Sequence, residues 1–202
     1  MRMKLYYSPG ACSLASHITL IEAGVPFTAE KVNLKDKVTE SGADFWKVSP
    51  RGAVPALDLG KDGVLTEGVA IMQYVMDSAK PGHLPALGTL GRARLVEMLN
   101  YISTEVHKTY SPFFRGLAGE AKEAQMQLLD ARLTVIEDRL ADGRAFLTGA
   151  DFTPADAYFF TVTNWSKPIG HDLSKFPKIE GLRARVVARP AVQGAMKAEG
   201  LI

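Results

Sequence analysis

The stretch Met3-Lys4-Leu5-Tyr6-Tyr7-Ser8-Pro9-Gly10-Ala11-Cys12-Ser13-Leu14 decides how the chain is read. Met3 to Tyr7 is a short β-type run, Ser8 to Ala11 is a turn, and from Ser13 the apolar residues Leu14, Ile18 and Ile21 recur at helical spacing. The spacing predicts a helix over 13–23, stopped by Gly24-Val25-Pro26. Cys12 then stands at a helix start, where unsatisfied backbone N–H groups and the positive end of the helix dipole favour a thiolate. A free cysteine is also commonly a small buried hydrophobe, and local context leaves both readings open.

Working outward, Phe27 to Val32 reads as a second strand, closing a βαβ unit. A polar stretch from Asn33 to Gly42 follows, with a short helix expected at 44–47. Ala56-Leu57-Asp58-Leu59 and Val64-Leu65-Thr66 flank a glycine-bounded loop and predict a hairpin. The helix after it carries Val69, Ile71, Met72, Val75 and Met76, with Thr66 as its expected N-cap. The turn-rich Lys80-Pro81-Gly82-His83-Leu84-Pro85 marks a boundary, and beyond it every pattern is helical. Leu129, Leu133, Ile136 and Leu140 form one apolar face, while 154–165 is apolar nearly all round and predicts a buried helix. Thr153, Pro154 and Asp156 mark its start as a variant capping box. The fold class is an α/β N-terminal domain of order βαβ-α-ββα over 1–80, a linker over 81–89, and an all-α domain over 90–202.

Composition narrows function by exclusion. The 202 residues carry a formal charge of +2, and residues 1–80 hold nine basic and nine acidic side chains, so no basic block tracks nucleic acid. One cysteine leaves no intrachain disulfide, and four scattered histidines argue against a metal site. Pro9 and Gly10 interrupt the only apolar stretch near the N-terminus, and no run reaches membrane-spanning length, so a cytoplasmic protein without a membrane partner is expected.

Three features accompany Cys12. Val54-Pro55 enters a strand, where a trans turn and a cis bond are both open; a cis bond would turn the Val54 backbone outward to pair with a peptide-like ligand. Thr66-Glu67-Gly68 opens a helix whose free N–H groups suit a carboxylate. Asn100, Thr104, His107 and Lys108 fall at i, i+4, i+7 and i+8, which places them on one helical face.

Taken with Leu65-Thr66-Glu67-Gly68-Val69-Ala70-Ile71, Asn100-Tyr101, Glu105-Val106-His107-Lys108 and Phe152-Thr153-Pro154-Ala155-Asp156-Ala157-Tyr158, these motifs make the chain resemble the glutathione S-transferases, specifically their bacterial beta class. The resemblance spans essentially all 202 residues. It implies a thioredoxin-like glutathione domain followed by a helical domain that shapes the electrophile pocket. Cys12 would lie beside the glutathione sulfur, next to Ala11, and be able to form a mixed disulfide. Val54, before a cis Pro55, would pair with the cysteinyl unit, and Glu67 and Gly68 would hold the γ-glutamyl end. His107 and Lys108 would reach the site from the helical domain, and Asn100, Thr104 and Glu105 would serve the neighbouring site of a homodimer. Gly68, Ala53 and Thr109 depart from the residues many relatives carry there, Ser, Gln and Gly respectively.

The implied activity is transfer of the glutathione thiolate to a small apolar electrophile, with glutathione as co-substrate and no metal. Tyr110, Phe113, Phe114 and Trp165 are the expected apolar lining. Two alternatives stand beside it: a glutathione-dependent thiol–disulfide reductase with Cys12 as nucleophile, and a non-catalytic ligand binder on the same fold.

Overall fold

A computed structural model describes residues 3–202. The chain divides into two compact units, one of residues up to Leu84 together with Arg189–Ile202, the other Pro85–Ala188.

The first unit is built on a five-stranded sheet of β1 (Met3–Tyr7), β2 (Phe27–Asn33), β3 (Val38–Thr39), β4 (Ala56–Asp58) and β5 (Val64–Thr66), in spatial order β3-β2-β1-β4-β5. Only β1 and β2 are parallel, joined through α1 (Ser13–Ala23); the other neighbours are antiparallel. The helix begins and ends where the sequence predicts. Gly24 stops it in the left-handed region at φ 71°, its N–H returning to the Ile21 carbonyl, a geometry that costs glycine little. β3 has no counterpart in the sequence reading. Its two residues lie in the polar stretch and are too few to show alternation, and only the Val32–Thr39 and Asn33–Val38 pairs define them.

In the same unit α2 (Gly68–Ala79) buries Ile71, Met72, Val75 and Met76 and packs on α1. Its N-cap is Glu67 rather than Thr66, because Thr66 is still paired in β5 with Ala56.

The second unit is helical: α3 (Leu90–Tyr101), a π turn (Ile102–His107), α4 (Lys108–Tyr110), α5 (Gly119–Arg139), α6 (Pro154–Thr163), α7 (Ser166–Ile169) and α8 (Pro177–Val187). Every residue of α6 is buried, and its capping box is present as read. Asp156 accepts from the Thr153 N–H and the Leu147 N–H at 2.8 Å each, tying the preceding loop to the helix start. Burial pushes the Asp156 carboxyl up to about 6 against those hydrogen bonds.

The sequence reading placed the last fourteen residues with the helical domain, whereas they pack with the first unit. There α9 (Pro190–Ala198) lies along α1, Arg189 pairs with Glu22 at 2.6 Å, and the buried Glu199 accepts from the Gly10 N–H at 2.9 Å and meets His17 Nδ1 at 2.9 Å. The chain's end thus anchors the loop that carries the cysteine. Among the described residues no helix is long and apolar enough to cross a membrane.

Candidate active site

Cys12 is the N-cap residue of α1, half-buried, and its thiol donates to the Val54 carbonyl at 3.3 Å. The loop in front of it is held twice. Ser13 Oγ donates to the Ser8 carbonyl at 3.2 Å and accepts the Ser8 N–H at 3.1 Å, while the Ala11 N–H donates to the Ser8 carbonyl at 3.0 Å. Ala11 packs against a cluster of Tyr6, Val32, Phe45, Val54 and Ala56 that supports the floor under the sulfur. The Val54–Pro55 bond is cis, and Val54 stands just outside the sheet ladder, which starts at Ala56.

The start of α2 abuts the same place. A Cβ built on Gly68 would lie 3.5 Å from Pro55 Cγ, so the helix N-terminus sits against the Val54–Pro55 turn. Glu67 holds φ 67°, a left-handed conformation that costs a non-glycine residue about 1–3 kcal/mol. Its carboxylate does not cap the helix but pairs with Arg51, leaving the first-turn amides uncapped by any side chain. Beneath Gly68 the fully buried Ser16 hydroxyl has no hydrogen-bond partner. The first unit therefore gathers Ala11, Cys12, Val54, Pro55, Glu67 and Gly68.

The sequence reading missed a neighbouring group. Lys37 donates to the Gly52 carbonyl at 2.6 Å and lies over the Trp46 ring at 5.7 Å, two residues before Val54. Gly52 itself adopts φ 57° directly under Trp46, where an added Cβ would come within 2.8 Å of the ring. Lys37 was unremarkable among the charges of the polar stretch, so nothing in the sequence singled it out.

In the second unit the expected polar stripe is split. An α-helix turns each residue through about 100°, and a π turn, with its i→i+5 bonds, turns each through less. Across Ile102–His107 the register slips enough that Asn100 and Thr104 stay exposed while His107 swings inward. Lys108 is exposed like Asn100 and Thr104, so of the four residues it is the half-buried His107 that leaves the shared face. Side chains occupy the carbonyls around this turn: Thr104 Oγ1 donates to Asn100 O at 3.0 Å, Thr109 Oγ1 to Glu105 O, and Gln125 Nε2 to Thr109 O at 2.7 Å. The hydroxyl of Thr109, a departure from the family pattern, thus supports the turn directly. Glu105 is held by Arg132 at 2.9 Å within its own chain.

His107 faces aromatic rings. Its Nδ1 lies 2.7 Å from the Tyr158 hydroxyl, and Trp165 stands edge-on at 4.9 Å between ring centroids. Tyr110 and Phe114 meet Trp165 edge-on as well, at 5.9 and 5.7 Å. Burial, helped by the adjacent Lys108, lowers the His107 imidazolium to about 4, so the ring is neutral at physiological pH. A neutral imidazole offers one donor and one acceptor, not a charge. Among the described residues no group of three His, Cys, Asp or Glu side chains gathers as metal ligands would.

A mixed five-stranded unit that presents a thiol at a helix N-terminus beside a cis-proline turn, followed by a helical unit, is the glutathione S-transferase architecture. Two family models match the chain, the glutathione S-transferase N-terminal domain over residues 1–77 and its C-terminal domain over 101–190. The chain belongs to the glutathione S-transferase family, a family of enzymes. It is 45% identical over 201 residues to glutathione S-transferase GstA of Escherichia coli O157:H7, covering 98% of this chain and all of that protein. Among solved structures, a sphingomonad glutathione S-transferase complexed with glutathione is 41% identical with a TM-score of 0.93, covering 98% of this chain and all of the other. The bacterial beta-class enzyme of Sphingomonas chungbukensis is 40% identical with a TM-score of 0.92, again over 98% and 100% of the two chains. These likenesses place the chain with the beta class.

Proposed function

We propose that the first unit binds glutathione around Cys12 and that the enzyme transfers its thiolate to a small apolar electrophile. The observation that carries the reading is the 3.3 Å contact of the Cys12 thiol with the Val54 carbonyl, at the N-terminus of α1. A sulfur, the Val54 backbone just before the sheet ladder and a second helix N-terminus at Gly68 lie close together, which supports the reading. A tripeptide thiol with a free α-carboxylate matches that patch group by group. Its backbone pairs with Val54, its α-carboxylate takes the α2 amides with Glu67 and Gly68, and its sulfur lies at the α1 start. The glutathione complex of the sphingomonad relative supports the choice of ligand.

A glutathione thiol loses its proton to water, the thiolate attacks the electrophilic carbon, a C–S bond forms and the leaving group departs with its bonding electron pair. With Nδ1 engaged by Tyr158, His107 presents Nε2 as a neutral hydrogen-bonding group rather than a cation. Phe113, Phe114 and Trp165 supply the apolar surface for the electrophile, whereas Tyr110, expected beside them from the sequence, is fully buried and backs the Trp165 ring instead. Cys12 exchanges with oxidised glutathione: its thiolate attacks one sulfur, a mixed disulfide forms and one glutathione thiolate leaves.

The enzyme works as a homodimer in which Asn100, Thr104 and Glu105 of each chain serve the neighbour's glutathione. The exposure of Asn100 and Thr104 on a helical surface supports this. The Arg132 contact means that Glu105 must share its carboxylate between that guanidinium and a ligand ammonium. The test mixes a Cys12→Ala chain with an Asn100→Ala/Glu105→Ala chain and follows glutathionylation by intact-protein mass. Recovery above either parent supports sharing. A monomer by light scattering, or heterodimers without recovery, refutes it.

A further inference from the structure

The second unit contains a buried hydrogen-bond chain that the transferase reading does not use. Tyr110, fully buried, places its hydroxyl 2.6 Å from Ser166 Oγ. Ser166 Oγ lies 3.2 Å from His171 Nδ1, and His171 Nε2 lies 2.7 Å from Asp130 Oδ1. The other Asp130 oxygen is paired with Lys175. Backbone closes the same loop, since the His171 N–H donates to the Ser166 carbonyl at 2.9 Å.

For a neutral His171 ring, donor and acceptor capacity fixes one direction along the chain. A carboxylate only accepts, so His171 Nε2 carries the hydrogen toward Asp130. In the neutral ring Nδ1 is then an acceptor, which makes Ser166 its donor and leaves Ser166 Oγ to accept from the Tyr110 phenol. Every donor points from Tyr110 to Asp130, and each polar atom of the buried stretch is used. The Asp130 carboxyl is destabilised by burial, but the hydrogen bonds from His171 and Lys175 outweigh this and hold it below the usual carboxylate range.

At its inner end the chain stops on the aromatic cluster. The Tyr110 ring is edge-on to Trp165 at 5.9 Å, and Trp165 is edge-on to His107 at 4.9 Å. Ser166 directly follows Trp165, so the same bonds that orient the phenol also fix the backbone carrying the indole.

We propose that Asp130, His171 and Ser166 are positioning residues that set Tyr110 and Trp165, and through them the ring plane of His107. They determine which electrophiles the enzyme accepts; this last step rests on the transferase reading above. A network that merely held the fold together would change stability without moving the His107 ring or electrophile selectivity. This one changes both selectivity and ring environment, and a restored hydroxyl recovers them.

The test compares wild type with Ser166→Ala, His171→Phe and the conservative Ser166→Thr. Imidazole nitrogen–proton NMR reads the four histidines, and steady-state kinetics reads KM for glutathione and for a bulky chlorodinitrobenzene separately. In Ser166→Ala and His171→Phe the His107 resonances shift, and KM for the electrophile rises about threefold or more while KM for glutathione holds. Ser166→Thr stays near wild type. Folded Ser166→Ala with His107 resonances and electrophile KM both unchanged overturns the proposal. If wild type conjugates nothing, the transferase reading fails instead, and the His107 resonances still decide the positioning claim.

Discussion

His107 Nδ1 and the Tyr158 hydroxyl lie 2.7 Å apart, joining the π turn after α3 to the buried helix α6. With Trp165 packed on its edge, the imidazole is both oriented and half-buried. Its pKa of about 4 lies below the unperturbed 6.5. Between those values the unfolded chain binds more protons than the folded one. The stability due to neutral His107 is therefore complete above pH 6.5 and is lost as pH falls toward 4. NMR titration is expected to show a His107 midpoint near 4; a midpoint near 6.5 contradicts the assignment. Tyr158→Phe removes a hydrogen bond worth about 1 kcal/mol and lowers kcat about fivefold, with glutathione affinity unchanged.

Asp156 titrates with the opposite sign. Its folded pKa of about 6 lies above the unperturbed 3.8, so its contribution is present below 3.8 and fades as pH rises through 6. The stability advantage of wild type over Asp156→Asn is expected to shrink by about 2 kcal/mol between pH 4 and 7, measured by urea unfolding. An advantage that stays level or grows with pH shows that the helix-start hydrogen bonds outweigh burial.

Glu199 holds Gly10 and His17 with its two carboxylate oxygens. Glu199→Ala removes the acceptor used by the half-buried Gly10 N–H and by the buried His17, and is expected to cost about 1–3 kcal/mol. Glu199→Gln keeps one acceptor oxygen and costs less. Because Gly10 lies two residues before Cys12, the alanine variant also changes the rate at which a thiol reagent modifies the sulfur. Unfolding free energy and labelling rate both at wild-type values would remove Glu199 from the account.

Gly68 stands where a side chain fits, with an added Cβ only in ordinary contact with Pro55 and Ser16. Gly68→Ser is expected to stabilise α2 by about 0.5–1 kcal/mol, since glycine is a poor helix former. The new hydroxyl also lies near the unpartnered Ser16 Oγ and adds a donor at the α2 start. KM for glutathione falls in Gly68→Ser and not in Gly68→Ala. Equal KM in the two variants assigns the whole effect to the backbone.

What the sequence made legible follows the physics of each element. The bounds of α1 and the capping box of α6 were readable because glycine, proline and a spaced acidic residue mark helix ends locally. The π turn was not, because Asn100, Thr104, His107 and Lys108 fit a 3.6 period equally well, and only packing of His107 against Tyr158 and Trp165 distinguishes the two. Contacts such as Glu199 with Gly10, or His171 with Asp130, join positions 189 and 41 residues apart, and no local pattern announces them.

The central claim is that the enzyme conjugates glutathione, with Cys12 serving exchange rather than transfer. The most direct measurement incubates wild type and Cys12→Ala with glutathione and chlorodinitrobenzene, and each protein separately with oxidised glutathione, reading products and protein by mass. Both proteins are expected to form the dinitrophenyl thioether at rates within about tenfold of each other, and only wild type gains a glutathione adduct. Thioether formation no faster than in buffer for both proteins would contradict the account.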